Sequence, residues 1–334
     1  MKEIAQLAGV SLGTVSHVLN GTAKVRDPLR ERVMAAVKSC GYQPSQLARG
    51  LRRDKTNIIA MIVPDIANPF FPGVVRGAED VAFANGYRLV LSNTDNDHVK
   101  EMAQLTALRT YLPSGLIVIP SNISELAAQA EGYRQSGAAV VCIDRLPRNW
   151  QGDSVTFDNL NGALHATAEL IALGHRRLAA ITGPLYLTNA RERLNGFKRA
   201  LRQAEIELAP GCLQETTFDR TGGYEKTREL LNLTPRPTAI FACNDLIALG
   251  ALMAVRDAGL RCPEDVSIIG FDGLDLTEVT TPQLSSVYQS PYEMGAEAAR
   301  LVLARLKEPE SPTRRIVLKT ELRMRGSVSA VVKA

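Results

Sequence analysis

Residues 9–21, GVSLGTVSHVLNG, admit two incompatible readings. Gly9, Val10, Ser11, Leu12 and Gly13 satisfy G-x-S-x-G, the strained elbow that presents a nucleophilic serine in some hydrolases. The same residues have the form of the turn and second helix of a helix-turn-helix. What comes before decides between them. An elbow serine needs a buried strand ahead of it and a sheet to pack against. Here only eight residues precede the match, and KEIAQLA places Ile4, Leu7 and Ala8 on one face of a short helix. Gly9 allows a tight turn at positive φ. Ser11 is a good N-cap, and Val15, Val18 and Leu19 then form the apolar stripe of a second helix that Asn20-Gly21 ends. The other face carries Leu12, Gly13, Ser16 and His17, mostly small or polar. Ser11 therefore reads as a cap and not as a nucleophile.

A third helix follows, with Asp27 as the expected cap, Pro28 at its first position and Gly41 just past its end. Leu29, Val33, Ala36, Val37 and Cys40 give it a stripe to pack on the first two helices. Three short helices make the small core of a DNA-reading head. Next, YQPSQLARGLRRDKTN (42–57) is broken by Pro44; residues 46–51 can form one or two marginal helical turns, and otherwise the segment is a basic linker.

Charge supports this division. The chain of 334 residues carries a net +4, but residues 1–57 alone hold ten Lys/Arg against four Asp/Glu, a balance of +6, which leaves −2 for the rest. A basic head on a slightly acidic body suits a polyanion as the head's partner. At 45% apolar and 22% charged residues the composition is that of a soluble globular protein, and no apolar run approaches the length of a membrane span. A cytoplasmic location is expected. Five scattered cysteines (40, 142, 212, 243 and 262) form no C-x-x-C pair, so neither disulfides nor a zinc site is expected.

From Ile58 onward short apolar runs alternate with amphipathic helices. The runs are 58–63, 87–93, 115–120, 139–144, 154–157, 178–182, 238–243, 266–272, 284–289 and 315–322; helices are expected over 72–85, 98–111, 160–173, 190–204, 222–232, 245–258 and 292–306. Such alternation implies parallel, doubly wound sheets, and the number of runs requires two lobes. Ligands of these sheets bind beyond the carboxyl ends of strands. Those ends carry 65–71 (DIANPFF), Thr94-Asp95, Asp144-Arg145, Asp158-Asn159, Asn244-Asp245 and Asp272. Carboxylates, amides and an arginine beside phenylalanines suit a small polyhydroxylated ligand. Asp158 and Asp245 read better as helix caps, Asp144 and Asp272 as ligand contacts. Catalytic, phosphate-binding and dinucleotide motifs are absent, and His17, His98, His165 and His175 lack metal-like spacing, so no enzyme, cofactor or metal is expected. His175, Tyr133 and Trp150 read as structural.

Taken together, IAQLAGVSLGTVSHVLNG, VRDPLRERVMAAVKSCGYQPSQLARGLR, IIAMIVPDIANPFF, LGHRRLAAITG, ARERLNGFKRAL, FACNDLIALGAL, VSIIGFDG and TELRMRGS resemble, in order, the motifs of the LacI/GalR family of transcriptional regulators. The resemblance runs essentially end to end. It implies a small all-α helix-turn-helix head (1–43), a hinge helix and linker (44–57), a two-lobed α/β core like periplasmic sugar-binding proteins (58–326) and a tail (327–334). Three crossings would make each lobe discontinuous: lobe 1 about 58–157 and 290–317, lobe 2 about 158–289 and 318–326. The family carries a few more residues before its first helix, so either a start upstream of Met1 or an uncapped first helix is expected.

Position by position, the resemblance gives Leu12, Gly13 and His17 the base-reading role in the major groove. Gly13 has no side chain, which shifts readout to Leu12 and His17. Ser11, Thr14, Ser16 and Asn20 fall at phosphate-contacting or capping positions, and Leu51 at the hinge leucine that wedges into the minor groove. Phe70 and Phe71 match the roof of the effector pocket; Asp144, Arg193, Asn244 and Asp272 match effector contacts; Phe218 matches a stacking aromatic; Asp95 is a weaker match.

The implied protein is a homodimeric repressor of carbohydrate uptake or catabolism genes. It would read a pseudo-palindromic operator on double-stranded DNA under control of a sugar-like effector between the lobes. Eight residues after Gly326 are too few for a tetramer-forming helix, so a dimer is expected. The alternative within the class is a purine-like or phosphorylated co-repressor. Asp144 and Asp272 would repel a phosphate, while a base could stack on Phe218. A sugar-binding transport protein is the rival from another class, and the basic head argues against it.

Overall fold

A computed structural model describes residues 1–20, 23–41, 56–121, 126–147 and 149–331. These fall into two compact units, Met1–Thr56 and Asn57–Ala334.

In the first unit, α1 (Lys2–Ala8), α2 (Leu12–Asn20) and α3 (Asp27–Ser39) close on Ile4, Ala5, Ala8, Val15, Val33 and Ala36. α1 has no side-chain cap. Its end is made by Gly9 at φ 60, ψ 44, a left-handed conformation that costs glycine little. Arg32 of α3 donates to the Ala8 carbonyl, which otherwise lacks a helical partner. One boundary differs from expectation: Asp27 is already helical and Arg26 occupies the N-cap without a side-chain bond. Pro28 accounts for this, because its fixed φ seeds the first turn unaided.

The second unit holds two six-stranded sheets. The first orders its strands β11-β5-β4-β3-β1-β2, from β1 (Thr56–Val63), β2 (Arg88–Asn93), β3 (Pro113–Val118), β4 (Ala139–Ile143), β5 (Asp153–Phe157) and β11 (Arg315–Leu318). The second orders them β12-β10-β9-β8-β6-β7, from β6 (Leu178–Thr182), β7 (Leu213–Glu215), β8 (Ala239–Ala242), β9 (Ser267–Asp272), β10 (Ser285–Tyr288) and β12 (Glu321–Arg323). β10–β12 is an antiparallel pair, whereas β1–β2, β3–β4, β4–β5, β5–β11, β6–β7, β6–β8, β8–β9 and β9–β10 are parallel. Strands such as β3 and β9 are buried along their whole length, as parallel strands covered on both faces must be. The backbone passes between the sheets three times, at 157–159, 288–291 and 318–321. The expected run 315–322 is thus two strands, one in each sheet. β7 was not expected, because LQE is too short and polar to stand out as a buried run.

The helices are α4 (Phe70–Ala84), α5 (His98–Arg109), α6 (Leu126–Gln135), α7 (Asn159–Ala172), α8 (Thr188–Gln203), α9 (Arg220–Leu231), α10 (Asp245–Asp257) and α11 (Pro291–Lys307). α4 and α11 approach closely: a Cβ on Gly295 would stand 1.8 Å from the Val74 carbonyl oxygen, and one on Gly77 would stand 2.0 Å from that of Tyr292. The side chains read as structural are structural. Trp150 Nε1 donates to Asp153 O, Tyr133 Oη donates to Leu105 O, and the His175 ring lies between Thr238 Oγ1 and Ser329 O.

Candidate functional site

In the head, Ser11 Oγ accepts from Thr14 N at 3.1 Å and lies 3.0 Å from Thr14 Oγ1. With α1, not a strand, before it, this serine has the geometry of a helix cap. Leu12 is 45% exposed although apolar, and Gly13 and His17 are exposed beside it, while Val15 of the same helix is fully buried. Ser16 and Thr14 are half-buried. Asn20 ends α2; its side chain and the whole of Leu51 lie outside the described residues.

In the core, the carboxyl ends of β1, β4, β8 and β9 meet the start of α8 in a cleft. It is lined by Asn68, Phe70, Phe71, Asp144, Arg145, Asn189, Arg193, Phe218, Asn244, Asp272 and Gln289. Asp144 follows β4 and Asp272 ends β9, and both have positive φ, 62° and 117°. Non-glycine residues hold such conformations only where their surroundings over-determine them, and they cluster at binding sites. Arg193 is nearly fully buried. Its Nη1 donates to Cys243 O at 2.8 Å and to Asp272 Oδ1 at 3.2 Å, its Nε donates to Asn159 Oδ1 at 2.8 Å, and its Cζ lies 3.9 Å over the Phe271 ring. Gln289 Nε2 donates to the same Asp272 oxygen at 2.7 Å. Asn189 Nδ2 donates to both Asp144 oxygens, at 3.3 and 3.1 Å. Arg145 Nη1 donates to Asn96 Oδ1, and its Cζ lies 5.8 Å from the Phe218 ring centre.

Two guanidiniums and two carboxylates give the cleft a balanced charge. Two buried polar atoms in it have no hydrogen-bond partner among the described residues: Arg145 Nε, a donor that stands only in an ion pair 3.4 Å from Asp144 Oδ2, and Gln289 Oε1, an acceptor. Orphans of this kind are rare, and a hydroxyl can satisfy both types. The free space between the side chains is ≈ 20 Å³, room for about one water, so a larger molecule requires them to part. Burial pushes the Asp272 carboxyl up to about 7; the nearby Asp144 adds to the shift, and Arg193 and Gln289 oppose it. Burial also lowers the Arg145 guanidinium, against the opposing pull of Asp144.

Seven of the eight residues expected around an effector converge here. Asp95 does not. It sits at φ 53 beside Asn96 at φ 55, a turn that aims its carboxylate at Lys100 in solvent, where the Lys100 and Asn93 hydrogen bonds hold its pKa below the usual carboxylate value. Asn68 and Arg145 were reached by the strand-end rule without being assigned as effector contacts, and they line the cleft; Asn189 and Gln289 were missed. Gln289 lies just beyond β10, so the same rule could have reached it. Asn189 would have required placing the start of α8 at Thr188 and not at 190. Of the two acids read as caps, Asp158 caps α7 through Asn161 N at 3.2 Å. Asp245 does not cap α10; Asn244 does, accepting from Ile247 N at 2.8 Å.

Among the described residues no His/Cys/Asp/Glu group could hold a metal ion, and no helix is long and apolar enough to cross a membrane.

A basic helix-turn-helix unit followed by a two-sheet core with a polar cleft defines a ligand-controlled DNA-binding regulator, a class with no catalytic step. The family model described as bacterial regulatory proteins, lacI family, matches residues 1–45, and that of the periplasmic binding protein-like domain matches 167–328. The chain is 37% identical over 328 residues to the ribose operon repressor of Haemophilus influenzae, covering 98% of both sequences. It is 35% identical over 335 residues to the HTH-type transcriptional repressor PurR of the same species (strain PittEE), covering 99% of both. Among solved structures, the lac repressor dimer bound to operator and the anti-inducer ONPF matches with a TM-score of 0.85 at 26% identity, covering 98% of each chain. The chain belongs to the lacI family of bacterial regulatory proteins.

Proposed function

We propose that this regulator is a dimeric, cytoplasmic repressor of sugar-uptake or catabolism genes whose effector is a small neutral sugar of the aldopentose class. One observation carries the effector class: a charge-balanced cleft in which Gln289 Oε1 lacks a hydrogen-bond donor and Arg145 Nε has only its ion pair with Asp144, flanked by Phe70, Phe71 and Phe218. Asp144, Arg145, Asn189, Arg193, Asn244, Asp272 and Gln289 exchange their mutual bonds for bonds to ring and hydroxyl oxygens. The aromatic rings cover the apolar face of the sugar. The name of the ribose operon repressor supports the choice of a pentose.

The head, the hinge segment 44–57 and the two lobes divide the work. Most of the hinge, 44–55 with Leu51, lies outside the described residues. Two copies of α2 read a two-fold operator, with Leu12, Gly13 and His17 facing the bases and Ser11, Thr14, Ser16 and Asn20 at the phosphates or the cap. Leu51 wedges into the minor groove. The effector biases the spacing of the lobes, and operator affinity changes by no more than its differential affinity for the two arrangements.

A second reading, a purine co-repressor, draws on the similarity to PurR and on Phe218 as a stacking surface. Thermal-shift titration of the full chain with D-ribose, other pentoses, hypoxanthine and ribose 5-phosphate separates the readings. Stabilisation by a neutral pentose supports the sugar. Stabilisation by the base alone, or by the phosphate ester alone, overturns it.

A further inference from the structure

Asp245 is a fully buried acid with no contact to the cleft, and its neighbour Asn244 already caps α10. Its side chain spans instead to the turn that follows β9. Oδ2 accepts from Leu274 N at 2.7 Å, and Oδ1 accepts from Ser286 Oγ at 2.6 Å. Ser286 Oγ in turn accepts from Gly273 N at 3.1 Å. The two peptide groups immediately after Asp272 are therefore both held, one directly and one through a hydroxyl, by the same carboxylate. A Cβ on Gly270 would stand 2.3 Å from Asp245 Oδ1, so β9 leaves the space that this carboxylate fills.

The residue ahead of this turn is the strained one. Asp272 is held at φ 117, and a conformation so disfavoured reverts unless neighbouring bonds fix it. Gln289, just past β10, supplies one such bond from its N to Asp272 O at 3.2 Å, and Arg193 and the Gln289 amide hold the side chain; the Asp245–Ser286 pair holds the two peptide groups that follow. Leu274, whose amide Asp245 holds, packs its side chain into the apolar cluster that contains Phe70 and Phe71. Fixing this turn therefore sets both the carboxylate and the aromatic wall of the site.

We infer that Asp245 is a positioning residue: with Ser286 it fixes the 272–274 turn and thereby aims the Asp272 carboxylate at the effector. The inference rests on the effector reading for its binding consequence, but not for its structural one.

The test uses the full chain and the variants Asp245→Asn and Ser286→Ala, the second removing only one leg of the brace. Amide exchange in the absence of ligand should speed up about tenfold at 272–275 in both variants, as expected for loss of one buried hydrogen bond, with the rest of the core unchanged. With D-ribose as probe, each variant should bind about tenfold more weakly. In an Asp272→Ala background the same substitutions should cost almost nothing, because they act through that side chain. Unchanged exchange at 272–275 overturns the proposal, as do losses that simply add to that of Asp272→Ala. Exchange that rises across the whole of the second lobe in both variants also overturns it, since the acid is then general scaffolding. If wild-type protein ignores D-ribose, the pentose reading fails and the exchange result alone decides the brace.

Discussion

Arg193 Nη1 and Asp272 Oδ1 stand 3.2 Å apart with both side chains almost fully buried, joining α8 to the end of β9 across the floor of the cleft. A pair of this kind contributes less to net stability than its geometry suggests, since both charges lost their water. Breaking it is a different matter, because the survivor stays buried and unpaired. Arg193→Met should cost about 3–5 kcal/mol, read as a fall in Tm of about 10 °C. Asp272→Asn keeps the shape and should abolish the response to sugar while leaving sugar-free operator affinity within about twofold, as measured by fluorescence anisotropy; a normal dose response would remove Asp272 from the site.

Asp272 also ties stability to pH. Its folded-state pKa, raised to about 7 by burial, lies above its ordinary value of 3.8. The associated stability is fully present below pH 3.8 and is lost as pH rises through 7, because the unfolded chain releases the proton first. Asp245, raised by burial and by Asp272, works in the same direction. Thermal melts at constant ionic strength should therefore show a Tm that declines as pH rises from about 4 to about 7, with a shallower slope in Asp272→Asn. Equal slopes would mean that Asp272 is ionised throughout.

The two strand-to-helix contacts at the mouth of the cleft make a third prediction. Asn189 bonds Asp144, and Thr188 Oγ1 accepts from Leu146 N at 3.0 Å, so the start of α8 is pinned to the loop after β4. Thr188→Val and Asn189→Ala together should weaken D-ribose binding by about thirtyfold, at roughly 1 kcal/mol for each of the two contacts. Calorimetry that finds no change would show that closure does not depend on these bonds.

For the head, Ser11→Ala removes the cap from a nine-residue helix, at a cost of about 1 kcal/mol. Operator affinity should fall by about fivefold, and ester hydrolysis should remain at background in both proteins. Leu51→Ala should lower operator affinity by more than tenfold and leave D-ribose binding untouched. Equal operator binding would remove the wedge from the mechanism.

Much of this architecture was legible because buried parallel strands are continuous apolar runs, and turn residues punctuate them. Ile58 to Val63 and Val266 to Asp272 could hardly be read otherwise. The edge strand β7 could not be seen, since two of its three residues are polar and only its pairing with β6 defines it. Asp144 and Asp272 stood out under the strand-end rule before any resemblance was invoked, and both line the cleft. Asp95 satisfied the same rule but does not line the cleft, because two consecutive left-handed residues turn its side chain outward, a local backbone event without a sequence signature. Asn189 became visible only when α8 met the β4 loop, a contact between residues about 45 apart in the chain. Adjacent acids and amides at a helix start are ambiguous for a related reason: Asn244 and Asp245 both have capping chemistry, and only the neighbouring sheet decides which one faces the helix.

Gln289 lies in the crossing at 288–291, between β10 of one sheet and α11, which packs on the other sheet and, through Gly77 and Gly295, on α4. Its amide nitrogen is committed to Asp272 and its oxygen is unpartnered. If the proposed effector places a hydroxyl on Gln289 Oε1, the contact falls on one of the three crossings between the sheets and directly ahead of α11, so binding would be felt at the joint itself with no relay of intervening side chains.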